Sequence, residues 1–452
     1  MEPALAKLTC LSGTHVGRVY ELAVPVALLG RQADCSVVLD DLAASGHHAE
    51  LRWERGAWVL TDLKSSNGTS VNGREITSVT LRNGDLIEFG KTRFRFQDAT
   101  ALQPTDDDLL LVEQMRQRTQ LIREEVGKVI VGQQEVLNQM LMAMIAGGHA
   151  LLVGMPGMAK TLMVRTIAKV LDLNFKRVQF TPDLMPTDIT GTEVLETNRD
   201  TGEREFRFIR GPIFCNLLLV DEINRTPPKT QAALLEAMQE HRVTVGSATF
   251  TLEEPFFVLA TQNPIEQEGT YPLPEAQLDR FMFNIWVDYP LEHEEEQIVS
   301  ATTVASVAEP ARVISRQQVL QLQQTVRKIP VSPHVVKYTT RFVRASRPGD
   351  PRAPDFIKQY VSTGAGPRAS QFLILAAKAR AVLEGRIHVS CADIRAAASP
   401  VLRHRILTNF AADSEAITSL DLVKRLVTAI EEPSEKDYAA PAGTMPLEHP
   451  SP

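Results

Sequence analysis

The sequence predicts a multidomain fold: an all-β sandwich, then an α/β domain built on a parallel sheet, then an all-α domain. Between residues 5 and 97, short alternating segments are separated by Asn-Gly pairs, as is typical of antiparallel strands. Apolar strand patterns then alternate with helical ones, and from about 291 the periodicity is helical throughout. We therefore assign the sandwich to 1–98, a linker and leading helix to 99–120, the α/β domain to 121–290, the helical domain to 291–431 and a disordered tail to 432–452.

In the first domain we expect strands at 16–22, 36–39, 49–53 and 58–60, with Asn-Gly turns at 67–68, 72–73 and 83–84. The sequence then becomes polar and loses its periodicity, which predicts a linker. This stretch ends in three aspartates at 106–108. Acidic side chains favour the start of a helix because its N-terminus carries a partial positive charge.

Composition narrows the class of protein. The 452 residues are 44% hydrophobic, and the net charge is −7 with dispersed basic residues, so nucleic acid is not an expected partner. The four cysteines lie far apart without a CxxC pair, which indicates reduced thiols in a reducing compartment. No basic leader is followed by an apolar segment, and no apolar run approaches the length of a membrane span. We expect a cytoplasmic protein.

A small-residue loop at 154–161 stands between the apolar run 150–153 and a helical pattern; it reads Gly-Met-Pro-Gly-Met-Ala-Lys-Thr. A strand, such a loop and a helix that begins at Lys160-Thr161 form the geometry that holds a nucleoside triphosphate. Backbone N–H groups at the helix start face the phosphates, Lys160 reaches the terminal ones and Thr161 can ligate magnesium. The usual pattern has Gly before the Lys. Ala159 costs little there if its dihedrals are helical and more if its φ is positive.

Two carboxylates follow a second apolar strand, at Asp221 and Glu222. Strands that are apolar on both faces lie inside a parallel sheet, so their carboxyl ends lie beside the phosphate loop. We interpret Asp221 as the magnesium partner, through water, and Glu222 as the base that polarises the attacking water. Without the phosphate loop in the same sequence, an Asp-Glu pair of this kind would more often be a solvent-exposed strand end.

A third apolar strand ends at Thr261-Gln262-Asn263-Pro264, where the amide of Asn263 can hold the attacking water. Arg280 and Arg368 are candidates to stabilise transition-state charge, because a guanidinium is a permanently charged planar fork. Taken alone, an Asn before Pro is more often a turn residue, and most isolated arginines form surface salt bridges.

Several motifs in order resemble the MoxR family of AAA+ ATPases over residues 121 to about 431. They are Val129-Ile130-Val131-Gly132-Gln133, Gly147-Gly148-His149, the loop 154–161 with its Ala, Asp221-Glu222-Ile223-Asn224-Arg225, Ala260-Thr261-Gln262-Asn263-Pro264 and Leu278-Asp279-Arg280-Phe281. The resemblance implies an α/β AAA+ P-loop NTPase core with an all-α lid, and it implies ATP and Mg²⁺ as ligands. It also implies a homo-oligomeric ring, expected to be a hexamer, that remodels protein clients in a chaperone-like way.

The same resemblance implies a role for each motif. Asp221 and Glu222 form the Walker B pair, and Asn263 is sensor 1. Arg280 is the finger that reaches a neighbouring subunit, and Arg368 is sensor 2 on the lid. The nucleotide-binding residues are Ile130, Val131 and Gly132 against adenine, and Gly154, Pro156, Gly157, Met158, Ala159, Lys160, Thr161 and Leu162 around the phosphates.

Two hairpins are predicted within the α/β domain, from 191–195 with 205–209 and from 242–245 with 249–252. In relatives of this kind such inserts face the central channel, which makes them candidates for client contact. The alternative is that both are surface hairpins without a role.

The first domain resembles the FHA domain, a β-sandwich whose loops bind phosphothreonine. The motifs are Leu29-Gly30-Arg31, Ser45-Gly46-His47-His48-Ala49, Asp62 to Thr69 and Val71-Asn72-Gly73. The expected phosphopeptide-binding residues are Arg31, Ser45, Lys64 and Asn67. Gly46 departs from the family because a basic residue usually follows the Ser. The domain therefore either recognises phosphothreonine, with Lys64 compensating, or is a degenerate docking module.

The function predicted from the sequence is an ATP-hydrolysing remodeller of MoxR type that a threonine-phosphorylated partner recruits or regulates. Proteins with a von Willebrand factor A domain commonly act with MoxR relatives and are the first partner class to test. One alternative is the motor subunit of a metal-chelatase-like complex. Another is a phospho-dependent scaffold in which ATP binding only sets the assembly state.

Overall fold

The computed structural model describes residues 6–22, 26–54, 57–81, 84–98, 105–197, 204–246, 248–265, 269–303 and 308–433. Its contacts divide the chain into two compact units, Met1–Thr105 and Asp106–Pro452. The turn predicted at 198–202 lies outside the described residues, as does the predicted tail from 434 onward. Among the described residues, no helix is both long and apolar enough to cross a bilayer.

The first unit is built from two mostly antiparallel sheets. One has the strand order β2-β1-β11-β10-β7-β8 and the other β4-β3-β5-β6-β9. The described strands are β1 (Ala6–Ser12), β2 (Val19–Leu22), β3 (Val26–Gly30), β4 (Val37–Val38), β5 (Ala49–Glu54), β6 (Ala57–Asp62), β7 (Thr69–Val71), β8 (Arg74–Ile76), β9 (Ser78–Thr80), β10 (Leu86–Phe89) and β11 (Thr92–Asp98).

Alternate residues of both sheets share one core, which confirms the predicted sandwich. Leu8 and Phe96 come from the first sheet and Leu51 and Trp58 from the second, and all four are fully buried. The predicted strand at 16–22 starts only at Val19, because the preceding residues form a turn. The strand predicted at 36–39 is likewise shorter, at Val37–Val38.

The second unit contains a five-stranded parallel sheet in the order β13-β16-β19-β12-β20. Its sheet strands are β12 (Ala150–Gly154), β13 (Phe175–Gln179), β16 (Leu217–Asp221), β19 (Phe257–Gln262) and β20 (Phe283–Val287). The helices of this part are α1 (Asp106–Gly127), α2 (Gln134–Ala146), α3 (Lys160–Val170), α4 (Pro186–Thr190), a 3₁₀ turn (Ile223–Arg225), α5 (Pro228–Glu240), α6 (Glu275–Leu278) and α7 (Glu292–Thr302).

Both faces of this sheet are buried, as the continuous apolar runs predict. Leu152 and Leu219 belong to one core cluster, whereas Leu151 and Val220 belong to the other. Neighbouring residues of a strand point to opposite faces, so an uninterrupted apolar run is what a doubly covered strand requires. The sheet therefore holds the ends of its strands in fixed register.

The remaining chain is helical apart from one short antiparallel pair. Its elements are α8 (Arg316–Lys328), α9 (Pro333–Arg344), α10 (Asp355–Tyr360), β21 (Val361–Thr363), α11 (Pro367–Leu383), α12 (Cys391–Leu402), β22 (Leu407–Thr408), α13 (Phe410–Ser414) and α14 (Ser419–Ala429). The residues of α11 and α12 join the same core cluster as α2 and one face of the sheet. The predicted multidomain order of sandwich, parallel sheet and helical lid is confirmed.

Both predicted hairpins form antiparallel pairs. They consist of β14 (Gly191–Thr197) with β15 (Arg204–Arg210), and of β17 (Arg242–Val245) with β18 (Ala248–Thr251). The rings of Phe208 and Phe250 stack at a centroid distance of 4.2 Å and an interplanar angle of 15°. This contact joins the first hairpin to the second.

Candidate functional site

The loop at 154–161 connects β12 to α3, as the sequence predicts. A Cβ on Gly154 would collide with the carbonyl oxygen of Val287, so only Gly fits at the end of this strand. Gly157 has φ +82° and faces open space. The remaining predicted loop residues differ in exposure: Pro156 is exposed, Met158 is half-buried against the core and Leu162 is exposed on α3.

Ala159 adopts a left-handed backbone, with φ 50° and ψ 21°, directly before α3. Of the two cases that the sequence leaves open, this is the costly one. A non-glycine residue in this region gives up about 1–2 kcal/mol relative to the right-handed conformation. The loop therefore keeps Ala159 in a backbone conformation that alanine by itself disfavours.

The ammonium of Lys160 lies inside the loop. Nζ donates to the carbonyl oxygens of Gly154 and of Met155, the latter at 3.1 Å. Burial lowers the pKa of Lys160, and the negative charges of Asp221 and Glu222 oppose that effect. Among the described residues, the hydrogen-bond partners of this half-buried cation are carbonyl oxygens alone, an arrangement that suits a terminal phosphate, so the donor set fits a nucleotide.

Asp221 ends β16 and lies near the loop, although β19 separates its strand from β12. Its Oδ2 is 3.5 Å from the Thr161 hydroxyl, and it accepts a hydrogen bond from Arg177 Nε. The Thr261 hydroxyl donates to Oδ1 at 3.1 Å. A hydroxyl and a carboxylate are the hard oxygen ligands that Mg²⁺ prefers, so these residues fit the implied metal.

Glu222 follows in a left-handed conformation, with φ 57°. Its backbone N–H donates to Thr261 Oγ1 at 2.9 Å. Its Oε2 accepts from Gln179 Nε2 and from an Arg225 guanidinium nitrogen, both at 2.9 Å. The carboxylate is therefore held by two donors at the end of the sheet.

The sequence analysis missed the partners of this carboxylate pair, which are Arg177, Gln179, Arg225 and Thr261. Arg177 and Gln179 come from β13 and Thr261 from β19, and strand pairing brings them to the pair. Thr261 could have been found from the sequence, because it belongs to the same strand-end motif as Asn263. For Arg177 and Gln179 no signal existed before the strand order was known.

Asn263 lies two residues beyond Thr261 at the same edge of the sheet. The position of Asn263 follows from the strand pairing, because Gln262, the residue before it, pairs with Val153 of β12. Its Oδ1 accepts from the backbone N–H of Ile265 at 3.2 Å, the geometry of an Asn turn before Pro264. The oxygen is thus engaged locally, while the residue stays buried beside the loop strand.

The segment predicted to face adenine also lies at this edge. Gln133, which follows Ile130-Val131-Gly132, donates from Nε2 to the carbonyl oxygen of Asp288 at 2.9 Å. Asp288 directly follows Val287, which pairs with Gly154 at the start of the loop. Ile130 is buried and Gly132 has φ +66°.

The two candidate arginines lie elsewhere. Arg280 precedes β20, and the N–H of Met282 donates to the carbonyl oxygen of His149 at 2.8 Å, at the amino end of β12. The loop leaves the other end of β12, four residue steps or about 13 Å away. Arg368 on α11 pairs at 2.9 Å with Asp279, the residue directly before Arg280.

In the first unit, three loops that carry predicted phosphopeptide-binding residues are joined. The backbone N–H of Arg31 donates to the Ser45 carbonyl at 3.0 Å, and the N–H of Ser66 donates to Ser45 Oγ at 3.0 Å. Asn67 Nδ2 donates to the Ala43 carbonyl at 2.7 Å. Lys64 is exposed on the same loop as Ser66 and Asn67, with φ 57°. Ser66 is a further hydroxyl that the sequence analysis missed.

The side chain of His48 connects two of these loops by hydrogen bonds. It is fully buried, its Nδ1 accepts from the N–H of Ser45 at 3.0 Å, and its Nε2 donates to the Gly68 carbonyl at 3.1 Å. A Cβ on Gly30 would collide with the carbonyl oxygen of Gly46. A Cβ on Gly46 would meet only the flexible Gln32 side chain, at 3.2 Å, so the backbone does not require Gly at that position.

Comparisons with known proteins assign both units to known domain families. Family models match residues 149–283 (ATPase family associated with various cellular activities, AAA), 356–426 (AAA lid domain) and 27–90 (FHA domain). Chaperone MoxR1 of Mycobacterium tuberculosis is 42% identical over 309 residues, which are 68% of this chain and 81% of MoxR1. The chain belongs to the MoxR family of AAA+ ATPases.

Two further similarities extend this result. The MoxR-family chain matches the crystal structure of a candidate ATPase from Cytophaga hutchinsonii with a TM-score of 0.67 and 39% identity, over 73% of this chain and 98% of that one. The glycogen accumulation regulator GarA of Mycolicibacterium smegmatis is 38% identical over 91 residues, 20% of this chain and 58% of GarA. This MoxR-family member therefore carries an FHA domain in addition to the ATPase core and lid.

Proposed function

We propose that this protein hydrolyses ATP at a site shared between neighbouring copies and uses the energy to remodel protein partners. One observation carries the proposal. Lys160, Thr161 and the Asp221-Glu222 pair, which are far apart in sequence, meet at the carboxyl edge of one parallel sheet. Ligands of open α/β sheets bind at this edge.

Each residue has a chemical role there. Lys160 supplies positive charge to the terminal phosphates, and its present carbonyl partners are exchanged for phosphate oxygens. Thr161 and Asp221 would hold Mg²⁺, which neutralises charge on the phosphate oxygens. Glu222 would orient the attacking water and accept its proton, and Asn263, at the same edge of the sheet, would help to position that water.

The remaining charges come from a second copy. Arg280 and Arg368 lie toward the amino end of the sheet, which favours a role at another copy over one at the phosphate loop of their own chain. Both would instead face the loop of a neighbour, so each site is complete only in an assembly. A closed ring, expected to be hexameric, lets every copy give and receive these arginines.

Turnover of ATP by the purified chain tests this proposal. Lys160→Ala is expected to abolish turnover, because the terminal phosphates lose their main cation. Lys169→Ala is the matched control, since Lys169 lies on the same helix but pairs with Glu309 at the surface. If Lys160→Ala hydrolyses ATP as fast as Lys169→Ala, the proposal is wrong.

The two hairpins are the proposed client contacts. Leu195 and Phe206 pair across the first hairpin and expose 50% and 74% of their surface. Exposed apolar side chains on a strand pair can hold an unfolded or loosely folded segment. The Phe208–Phe250 stack makes both hairpins respond together to movements of the sheet.

We further propose that the FHA domain binds phosphothreonine and so selects the partner. The Arg31 side chain is exposed, and it has no hydrogen-bond or ion-pair partner among the described residues. The Arg31 backbone N–H donates to the Ser45 carbonyl, and the Ser45 hydroxyl is 3.5 Å from that of Ser66. A guanidinium without a partner, on a loop joined to two hydroxyls, is a suitable donor set for a phosphate group. A partner with a von Willebrand factor A domain is the first class to test.

Peptide titration tests this second part. The chain is expected to prefer a phosphothreonine peptide over its unphosphorylated form by at least about tenfold, since charge-assisted hydrogen bonds contribute about 1.5–3 kcal/mol. Arg31→Ala should remove the preference. Arg52→Ala is the control, because Arg52 is an exposed arginine of the same unit that pairs with Glu50. Equal affinity of the unaltered chain for both peptides would show a docking module instead.

A further inference from the structure

Arg405, three residues after the end of α12, hydrogen-bonds the loop that carries Arg280. Its side chain is only 2% exposed. One guanidinium nitrogen donates to the Asp279 carbonyl at 2.9 Å and to the Phe281 carbonyl at 2.7 Å, the carbonyls on either side of Arg280. Another donates to the Met282 carbonyl at 3.3 Å and to the Val401 carbonyl near the end of α12. Two lid side chains therefore hold the backbone around Arg280: Arg405 with most of the contacts, and His404, whose Nε2 donates to the Phe281 carbonyl at 3.1 Å.

The burial of this cation is offset by its partners. Taking a guanidinium out of water costs several kcal/mol unless hydrogen bonds satisfy it. Burial lowers the pKa of Arg405 to about 10, so it is still charged at neutral pH. Its guanidinium also lies over the Phe372 ring, 5.0 Å from the centroid, on the helix that carries Arg368.

The Asp279 carboxylate is fully engaged by the lid. Oδ1 accepts from Arg405 Nε at 2.7 Å, and Oδ2 accepts from Arg368 at 2.9 Å. Asp279 is the acidic residue next to Arg280, yet both its oxygens are occupied. In the part of the chain that the structure describes, the guanidinium of Arg280 has no hydrogen-bond or ion-pair partner. It is thus held in place by its backbone and left free at its tip.

We infer that Arg405 is a positioning residue that presents Arg280 to the neighbouring copy, with Asp279 as its carboxylate anchor. The inference rests on the proposed shared site. The lid then controls the position of Arg280, because the side chains that contact its loop come from α11 and from the segment after α12. A displacement of about 1 Å at a catalytic group can cost about 10²-fold in rate. Loosening this anchor should therefore slow hydrolysis in the neighbour, not in the altered copy.

Mixing two inactive variants separates these effects. A receptor copy, Arg280→Ala, keeps its phosphate loop but lacks the finger; a donor copy, Lys160→Ala, keeps the finger but lacks the loop cation. Their mixture should recover ATP turnover. Adding Arg405→Lys to the donor retains the charge but not the fork that spans two carbonyls. The recovered turnover is then expected to fall at least about tenfold.

The same change on the receptor provides the decisive comparison. Arg280→Ala with Arg405→Lys should recover as much turnover as Arg280→Ala alone, whereas a merely structural role would lower recovery on both sides. Arg395→Lys in the donor is the matched control, because this lid arginine pairs with Glu432 instead. Size-exclusion profiles and thermal midpoints report folding and assembly of each variant. If Arg405→Lys does not fold, Asp279→Asn in the donor takes its place.

The outcomes are distinct. Full recovery with the altered donor, or equal loss on donor and receptor, overturns the role of Arg405 while leaving the shared site intact. No recovery by the plain mixture overturns the shared site, and the inference with it. A loss confined to the donor supports both.

Discussion

Glu222→Gln is expected to slow ATP hydrolysis by about 10²–10⁴-fold, the usual contribution of a general base. The Gln keeps the size of the side chain and can still accept from Gln179 and Arg225, but it cannot take a proton from water. Binding of ATP should be retained, because Lys160 and Thr161 are unchanged. Single-turnover hydrolysis and equilibrium binding of a labelled nucleotide measure the two effects separately.

Glu236→Gln is the matched control, since Glu236 is an exposed carboxylate on the neighbouring helix α5. Retained hydrolysis in Glu222→Gln would assign the base to another group. The variant also separates the remodeller from the scaffold. If the protein is a scaffold in which ATP only sets the assembly state, Glu222→Gln retains its partner-dependent function. If it is a remodeller, the variant loses that function and stays bound to its client.

Arg280→Ala is expected to lower kcat by about 10³–10⁵-fold, the effect of removing an arginine finger in phosphoryl transfer. ATP binding to the altered copy should change little, because Arg280 lies at the far end of the sheet from the phosphate loop. Turnover of the unaltered chain should rise more steeply than linearly with chain concentration, since each site needs two copies. Steady-state rates over a concentration series measure both properties.

The control for this change is Arg312→Ala, because Arg312 is an exposed arginine of the same unit that pairs with Asp172. If Arg280→Ala retains normal turnover, or if the rate of the unaltered chain is strictly proportional to its concentration at all dilutions, the shared site is wrong. Recovery of activity on mixing with Lys160→Ala would identify the side of the interface on which Arg280 acts.

Much of the fold could be predicted because its signals are local. The alternation of residues around Leu51 and the uninterrupted run ending at Asp221 each determine which faces of a strand are buried. Strand ends were less predictable. The strand predicted from 16 starts at Val19, because a glycine with positive φ, Gly17, turns the chain just before it.

The candidate site was predictable in its parts but not in its partners. The phosphate loop, Asp221-Glu222 and Asn263 each follow an apolar strand, so a short pattern marks them. Arg177 and Arg405 carry no such pattern. Their importance comes from contacts with residues 44 and 126 positions away, at Asp221 and Asp279. Those contacts depend on strand order and on how the lid packs.

The sequence by itself determined which residue types the candidate site contains and the order of the domains: a Lys160-Thr161 pair that opens a helix, and carboxylates at a strand end. Only the tertiary structure decided that Ala159 has a positive φ, and that Arg368 pairs with Asp279, the residue before Arg280. The reason is physical. Residue type and periodicity act over a few positions, whereas the backbone of a tight loop and the distance between lid and sheet are set by packing of the whole unit.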